Sequence, residues 1–219
     1  MSKQPPGKAP IYERLAHLAK AMANGKRLEL LELVSQGEQS VDALARLSGS
    51  AVTTTSAQLQ VLRRVGLVST RRQGTTIFYS LAGDDVAALM VQMKAVGLKH
   101  SAEVRDAWRS QQGDGAKVVS LHSLQSAGGT VFMLDVRPSA EFTSGHFPGA
   151  VSIPLTELPG RTDEVPTDRP VVVYCRGEFC TLAREAAVLL SRLGVDAAAM
   201  DEGVLEWRAD ESMVLHASA

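Results

Sequence analysis

Apolar residues fall at helical spacing through the first third of the chain, in four short sets: Ile11, Leu15, Leu18 and Met22; Leu28, Leu31 and Val34; Val41, Leu44 and Ala45; Leu59 and Leu62. Ser40 stands where it can cap the third helix, and Gly49 with Ser50 supplies a turn before the run Val52 to Val65. The pattern predicts helix, turn, helix. The period then changes: Leu67 to Arg72 and Thr75 to Ser80 alternate around Gln73-Gly74, which predicts a β-hairpin. A further helix is predicted from Asp84 to about Trp108, with an apolar stripe of Val86, Leu89, Met90, Met93 and Val96 that suits its own domain or a second subunit.

The polar stretch Ser110-Gln111-Gln112-Gly113-Asp114-Gly115 interrupts this order. Beyond it, the apolar runs Thr130 to Leu134 and Val171 to Tyr174 alternate with a helical stretch from Leu182 to Leu193. Continuous apolar strands between helices predict a small, mainly parallel sheet. The expected fold class is therefore an α+β winged helix-turn-helix domain followed by an α/β domain. The expected boundaries are 1–110, a linker at 111–116, and 117–219.

Charge separates the same two segments. Residues 1–110 carry 15 Lys and Arg against 9 Asp and Glu, and residues 111–219 carry 8 against 15. The net charge of −1 thus conceals a basic half and an acidic half, and a basic half draws in a polyanion such as a phosphate backbone. The 45% hydrophobic fraction is ordinary for a globular chain, and no apolar run is long enough for a bilayer. Met1 to Pro10 lacks the apolar core of a secretory signal. Cytoplasmic residence is expected, with no membrane partner. Two cysteines, Cys175 and Cys180, are too few for a disulfide scaffold and suit a catalytic or redox pair.

In the basic half, a recognition helix places short polar side chains at base edges and basic ones at phosphates. Thr53, Thr54, Thr55, Ser56, Gln58, Gln60, Arg63 and Arg64 on the Val52 helix, with Arg71 and Arg72 on the hairpin, are the candidate DNA-binding residues. Lys26 or Arg27 is a further candidate for the phosphate backbone. The segments Lys20 to Leu28, Val41 to Ala45, Gln58 to Val68 and Arg71 to Gly74 resemble the arsenic-repressor (ArsR) family. The resemblance implies a homodimeric winged-helix repressor on double-stranded DNA with an inverted-repeat operator. Many members of that family sense metals, but Ser40 and Asp42 stand where thiolate ligands are required, and Ala87 and Leu89 stand at two ligand positions of the last helix. His100 and Glu103 keep an H-x-x-E spacing and are read as surface residues. Neither a metal nor another cofactor is expected.

In the acidic half, Leu134 to Pro154, Val173 to Thr181 and Asp201 to Trp207 resemble a rhodanese domain. Cys175 ends an apolar strand and opens a short loop into a helix, where free backbone N–H groups favour an anion. A lowered Cys175 pKa and a Cys175 persulfide are expected. Arg176 is expected to help capture an anionic sulfur donor such as thiosulfate, with Glu178 opposing it. Gly177, Glu178, Phe179 and Thr181 complete the substrate loop. Asp135 and Arg137 are read as a buried structural pair, and Glu141, His146 and Trp207 as folding determinants. The six-residue loop, with Thr181 where related phosphatases and arsenate reductases place an Arg, implies sulfur transfer.

For Cys180 two readings stand open: a second thiol that attacks a Cys175 persulfide, or a small residue buried at a helix start. The leading functional reading is a repressor that senses or transfers reactive sulfur. The alternative is a sulfurtransferase enzyme whose winged helix dimerises or tethers it, and a third reading is a repressor with a silent catalytic domain. A thiophilic ion such as arsenic on the paired thiols stays open as well.

Overall fold

A computed structural model of the chain describes residues 9–121, 123, 131–210 and 215–217. The start of the Met1 to Pro10 segment and Thr130 lie outside the described residues. The chain divides into two compact units, residues 1–34 with 38–83, and 35–37 with 84–219. The second unit thus begins before the boundary drawn from the sequence, because the helices after Asp84 pack with it.

In the first unit, α1 (Ala9–Met22) and α2 (Gly25–Ser35, whose last residue falls in the second unit) precede the two-residue strand β1 (Gln39–Ser40) and α3 (Val41–Leu47). The Ser40 hydroxyl accepts from the Ala43 amide at 3.2 Å, satisfying a helix N–H that would otherwise be orphaned. Helix α4 (Val52–Arg64) buries Leu59 and Leu62. It ends just before Gly66, whose left-handed φ of 80° lets the chain reverse into the hairpin. Strands β2 (Val68–Gln73) and β3 (Thr76–Leu81) pair antiparallel, and β1 adds to β3. The turn is Gly74-Thr75, one residue later than predicted. Gln73 pairs with Thr76, and Gly74 takes the φ of 59° that the reversal requires.

The second unit starts with α5 (Asp84–His100) and α6 (Ala102–Gln111). The single helix predicted from Asp84 to Trp108 is therefore two, since the Ser101 hydroxyl accepts from the Val104 amide and restarts the helix. His100 and Glu103 consequently lie on different helices. A five-stranded parallel sheet follows, with β4 (Val118–Val119), β5 (Phe132–Asp135), β6 (Val151–Ser152), β7 (Val171–Tyr174) and β8 (Ala197–Met200) in the order β4-β8-β7-β5-β6. Helices α7 (Ser139–Ser144), α8 (Leu182–Arg192) and α9 (Val204–Ala209) complete the unit.

β7 is central and fully buried, which explains its unbroken apolar run. Helix α8 lays Ala183, Ala186, Ala187 and Leu190, one helical stripe, against the sheet. The Tyr174, Phe147 and Trp207 rings fill a second apolar cluster. Among the described residues, no helix is long and apolar enough to cross a membrane.

Candidate functional site

On α4 and the hairpin the ten candidate DNA-binding residues separate by exposure. Thr53, Thr54, Arg63, Arg64, Arg71 and Arg72 are exposed, whereas Ser56, Gln58 and Gln60 are half-buried. Thr55 is 0% exposed, so the sequence assignment is corrected: it faces inward beside Leu59 and Leu62, one turn before Leu59, and cannot reach a base edge. Gln60 donates to the Tyr79 hydroxyl at 2.8 Å, and Gln58 accepts from Arg27 at 2.9 Å, so both amides have internal partners. Arg27 also donates to the Ala21 and Lys20 carbonyls, and Lys26 to Glu29 and the Ser48 carbonyl. Those two basic residues hold the helices together. Arg71 forks onto Glu38 with two bonds of 3.0 Å from Nε, which leaves Arg63, Arg64 and Arg72 as the exposed cations of this surface without a carboxylate partner among the described residues.

In the second unit, β7 delivers Cys175 into the loop that precedes α8. The loop is pinned from below by α9: the Val204 and Leu205 amides donate to the Cys175 and Arg176 carbonyls at 3.3 and 2.9 Å. Gly203 is required for this approach, because a Cβ there would overlap the Cys175 carbonyl and the Gly177 amide. Glu206 then accepts from the Gly203 amide at 2.9 Å and the Glu178 amide at 3.3 Å. Burial raises its carboxyl pKa, while nearby Lys94 opposes the shift.

Cys175 is 2% exposed, and its thiol donates to the Cys180 carbonyl at 3.5 Å. The Gly177 and Ala183 amides face its sulfur, and those of Arg176 and Leu182 face the sulfur of Cys180. The expected lowering of the Cys175 pKa is corrected in direction. Burial pushes this thiol well up, since a desolvated thiolate loses more than the two amides return. The Cys175 side chain instead pulls Cys180 down, with help from its backbone amides and from Arg176. Of the two thiols, Cys180 is therefore the more readily ionised.

The expected donor-capturing role of Arg176 is also corrected. Its guanidinium is committed to the buried Glu141 carboxylate, with bonds of 3.2, 3.0 and 2.7 Å. Glu141 is thus the counter-ion of the loop's arginine, a pairing the sequence left unseen because the two residues are far apart in the chain. Asp135 and Arg137 are both 0% exposed and are joined at 2.6 Å, with further bonds from Arg137 to the Gly145 carbonyl at 2.8 Å and to Gln36 at 3.0 Å. Gln36 also donates to the Arg176 carbonyl at 3.3 Å. His146 stacks on Phe142, and Trp207 is buried against Phe147 and Tyr174.

Phe179 projects from the loop onto α5 and α6. Its ring meets Trp108 at 5.1 Å and lies beneath the Lys94 ammonium at 4.9 Å. Lys94 is 7% exposed and sits 3.6 Å from Glu206. Arg184 packs over the Trp108 ring and bonds Asp201 at 2.7 Å. The signal for this cluster was Lys94 itself, a charge within the apolar stripe of α5. Thr181 turns to Glu185 at 2.7 Å. An open groove of about 810 Å³ runs along α8 from Thr181 to Leu193 under Gln111–Asp114, and Cys175 does not line it. Among the described residues no group of three or more His, Cys, Asp or Glu side chains is gathered to hold a metal.

Comparison with known proteins assigns both units. Residues 118–210 match the model of the rhodanese-like domain, and residues 23–86 match the model HVO_A0114. The HTH-type transcriptional regulator Rv0324 of Mycobacterium tuberculosis is 40% identical over 95% of this chain and 93% of its own length. The nodulation protein NolR of Rhizobium meliloti is 40% identical over 41% of this chain and 74% of its own. A solution structure of a homodimeric winged helix-turn-helix DNA-binding domain from Mycobacterium bovis is 43% identical, covering 47% of this chain and 95% of that one with a TM-score of 0.43. The chain belongs to the helix-turn-helix transcriptional regulators of the ArsR type that carry a C-terminal rhodanese-like domain.

Proposed function

We propose that this regulator is a homodimeric repressor, working in the cytoplasm, whose affinity for an inverted-repeat operator is set by reactive sulfur captured as a persulfide on Cys175. Exposed Thr53, Thr54, Arg63, Arg64 and Arg72 are the groups that read and grip the DNA. Leu89, Met93 and Val96 are 42%, 37% and 57% exposed at helical spacing on α5, an apolar stripe suited to a second copy. The sequence boundaries 1–110 and 117–219 are kept as functional modules, DNA-binding with dimerisation and sulfur-handling, although the helices from Asp84 to Gln111 pack in the compact unit of the second.

The observation that carries the sensing role is the clamp on Phe179. The loop that holds Cys175 grips Lys94 and Trp108, and these lie on the helices that the chain enters directly from the wing strand β3 through Ala82 and Gly83. Adding a sulfur atom to a buried thiol enlarges a packed loop, and packed elements respond by repacking rather than by gradual deformation. A change in Phe179 is thereby passed to α5, the helix proposed to hold the dimer.

The test is binding to the protein's own promoter DNA at fixed salt, for wild type and Cys175→Ser, each reduced and then treated with thiosulfate or an organic persulfide. A sulfur-dependent shift of about tenfold in wild type alone is expected, within the usual range of coupling energies. Equal binding under all conditions overturns the sensor. Combined with strong thiosulfate turnover, that result assigns the domain to sulfurtransferase catalysis, for which the amides around Cys175 are equally suited.

A further inference from the structure

One thiol suffices to capture a sulfane sulfur, yet this loop holds two in a single nest of amides. The Cys175 thiol donates to the Cys180 carbonyl, 3.5 Å away, which places the two residues face to face across the loop. The amides of the loop and helix start, those of Arg176, Gly177, Leu182 and Ala183, divide between the two sulfurs. The Cys180 amide closes a turn onto the Gly177 carbonyl at 2.9 Å, which brings the end of the loop back towards its beginning. Both cysteines are free thiols, Cys175 buried and Cys180 half-buried against the same apolar cluster.

We propose that Cys180 is the resolving thiol of the loop, attacking the inner sulfur of a Cys175 persulfide to give a Cys175–Cys180 disulfide and free hydrosulfide. The proposal rests on the persulfide reading above and adds its discharge. In the capture step with thiosulfate, the Cys175 sulfur bonds to the sulfane sulfur while the S–S bond of thiosulfate breaks and sulfite leaves with its electron pair. The proton that Cys175 gives up passes to solvent base, so capture does not need Cys180. In the discharge step, the Cys180 sulfur bonds to Cys175 Sγ, the persulfide S–S bond breaks, and the terminal sulfur leaves as hydrosulfide with the proton from Cys180. The sulfane sulfur is the oxidant: it is reduced to sulfide as two thiols become one disulfide, and an external dithiol resets the loop.

Charge placement favours this order. Burial raises the Cys175 thiol, whereas Cys180 is lowered by its Cys175 neighbour and by backbone amides, so Cys180 is the more readily ionised of the two and the suited nucleophile for the discharge step. Closing a bond of about 2 Å between the sulfurs also draws in the residue next to Cys180, which is Phe179. A disulfide therefore repositions the Phe179 contacts with Lys94 and Trp108.

The experiment uses the full chain, reduced and kept free of oxygen, given one equivalent of thiosulfate or inorganic polysulfide and followed by intact mass and sulfide assay. Wild type is expected to lose two hydrogens, about 2 Da, and to release one sulfide per chain. Cys180→Ser and Cys180→Ala are expected to gain one sulfur, about 32 Da, and release none. Cys175→Ser should do neither. Wild type that keeps the extra sulfur and releases no sulfide overturns the resolving role and leaves the persulfide reading standing. Failure of both Cys180 variants to gain sulfur, with their thermal melting unchanged, overturns the persulfide reading and the resolving role with it.

Discussion

Replacing Asp135 by Ala leaves the Arg137 guanidinium charged at a position that is 0% exposed. The substitution removes four bonds to carboxylate oxygens, of 2.9, 3.0, 3.1 and 2.6 Å, including that from the Arg137 amide. The groups still bonded to or stacked on the cation are neutral, the Gly145 carbonyl at 2.8 Å, Gln36 at 3.0 Å and the face of Tyr174 at 5.8 Å, and the remaining anion that acts on it, Glu141, is already paired with Arg176. Breaking a buried pair on one side costs about 3–5 kcal/mol, because the surviving charge keeps its desolvation penalty without its partner. With a urea slope of about 2 kcal/mol per M, the midpoint of the second unit should fall by roughly 2 M. The assay is urea unfolding followed by Trp207 fluorescence in a Trp108→Phe background, since the chain has two tryptophans. The double substitution Asp135→Leu with Arg137→Met removes both charges and should recover much of the loss. A fall of less than about 0.5 M in the single variant, or a double variant no more stable than the single one, would show that the Arg137 charge is not left stranded.

At neutral pH, limiting iodoacetamide should alkylate Cys180 before Cys175, as the lower thiol pKa and greater exposure of Cys180 dictate; peptide mapping that finds Cys175 labelled first sinks this assignment of charge. Burial raises the Glu206 carboxyl in the folded chain, so the native state holds this proton longer than the unfolded one. Its contribution to stability is full below about pH 4.3 and is lost as pH rises through the folded value. Glu206→Gln should therefore flatten the decline in stability above that pH, and parallel slopes for the two proteins would contradict it. Arg63→Ala with Arg64→Ala should weaken DNA binding across all sequences and reduce the salt slope by about 1 for each phosphate that is no longer neutralised, measured by titration at several salt concentrations; an unchanged slope removes both arginines from the interface. Thr55→Val should leave DNA affinity unchanged, since this buried hydroxyl has no hydrogen-bond partner among the described residues; weaker operator binding at unchanged stability would return Thr55 to the interface.

The order of elements was legible wherever one physical signal acted alone. β7 announces itself as Val171 to Tyr174 because a central parallel strand is buried on both faces, and α8 as a stripe because only one of its faces is. The Ser40 cap and the position of Cys175 at a strand end are local as well. β8 was not legible, since Ala197 to Ala199 carries little strand preference and is held by pairing with β7 and β4. The break at Ser101 was hidden because a serine inside an apolar period reads equally as a surface position and a cap.

Within the two candidate sites, the chemistry present is written in the order of residues: two thiols on one short loop, a Thr-rich helix followed by arginines, and an Asp-x-Arg pair. Tertiary structure decided what each group is free to do. Arg176 could not be seen to spend its charge on Glu141, nor Thr55 to face inward, nor Lys94 to sit against Phe179 and Glu206, because burial and long-range pairing are properties of packed elements and not of neighbours in the chain. The same holds for the two cysteines. Their spacing places them on one loop, but only desolvation at Cys175, and the Cys175 side chain and backbone amides at Cys180, decide which sulfur ionises more readily.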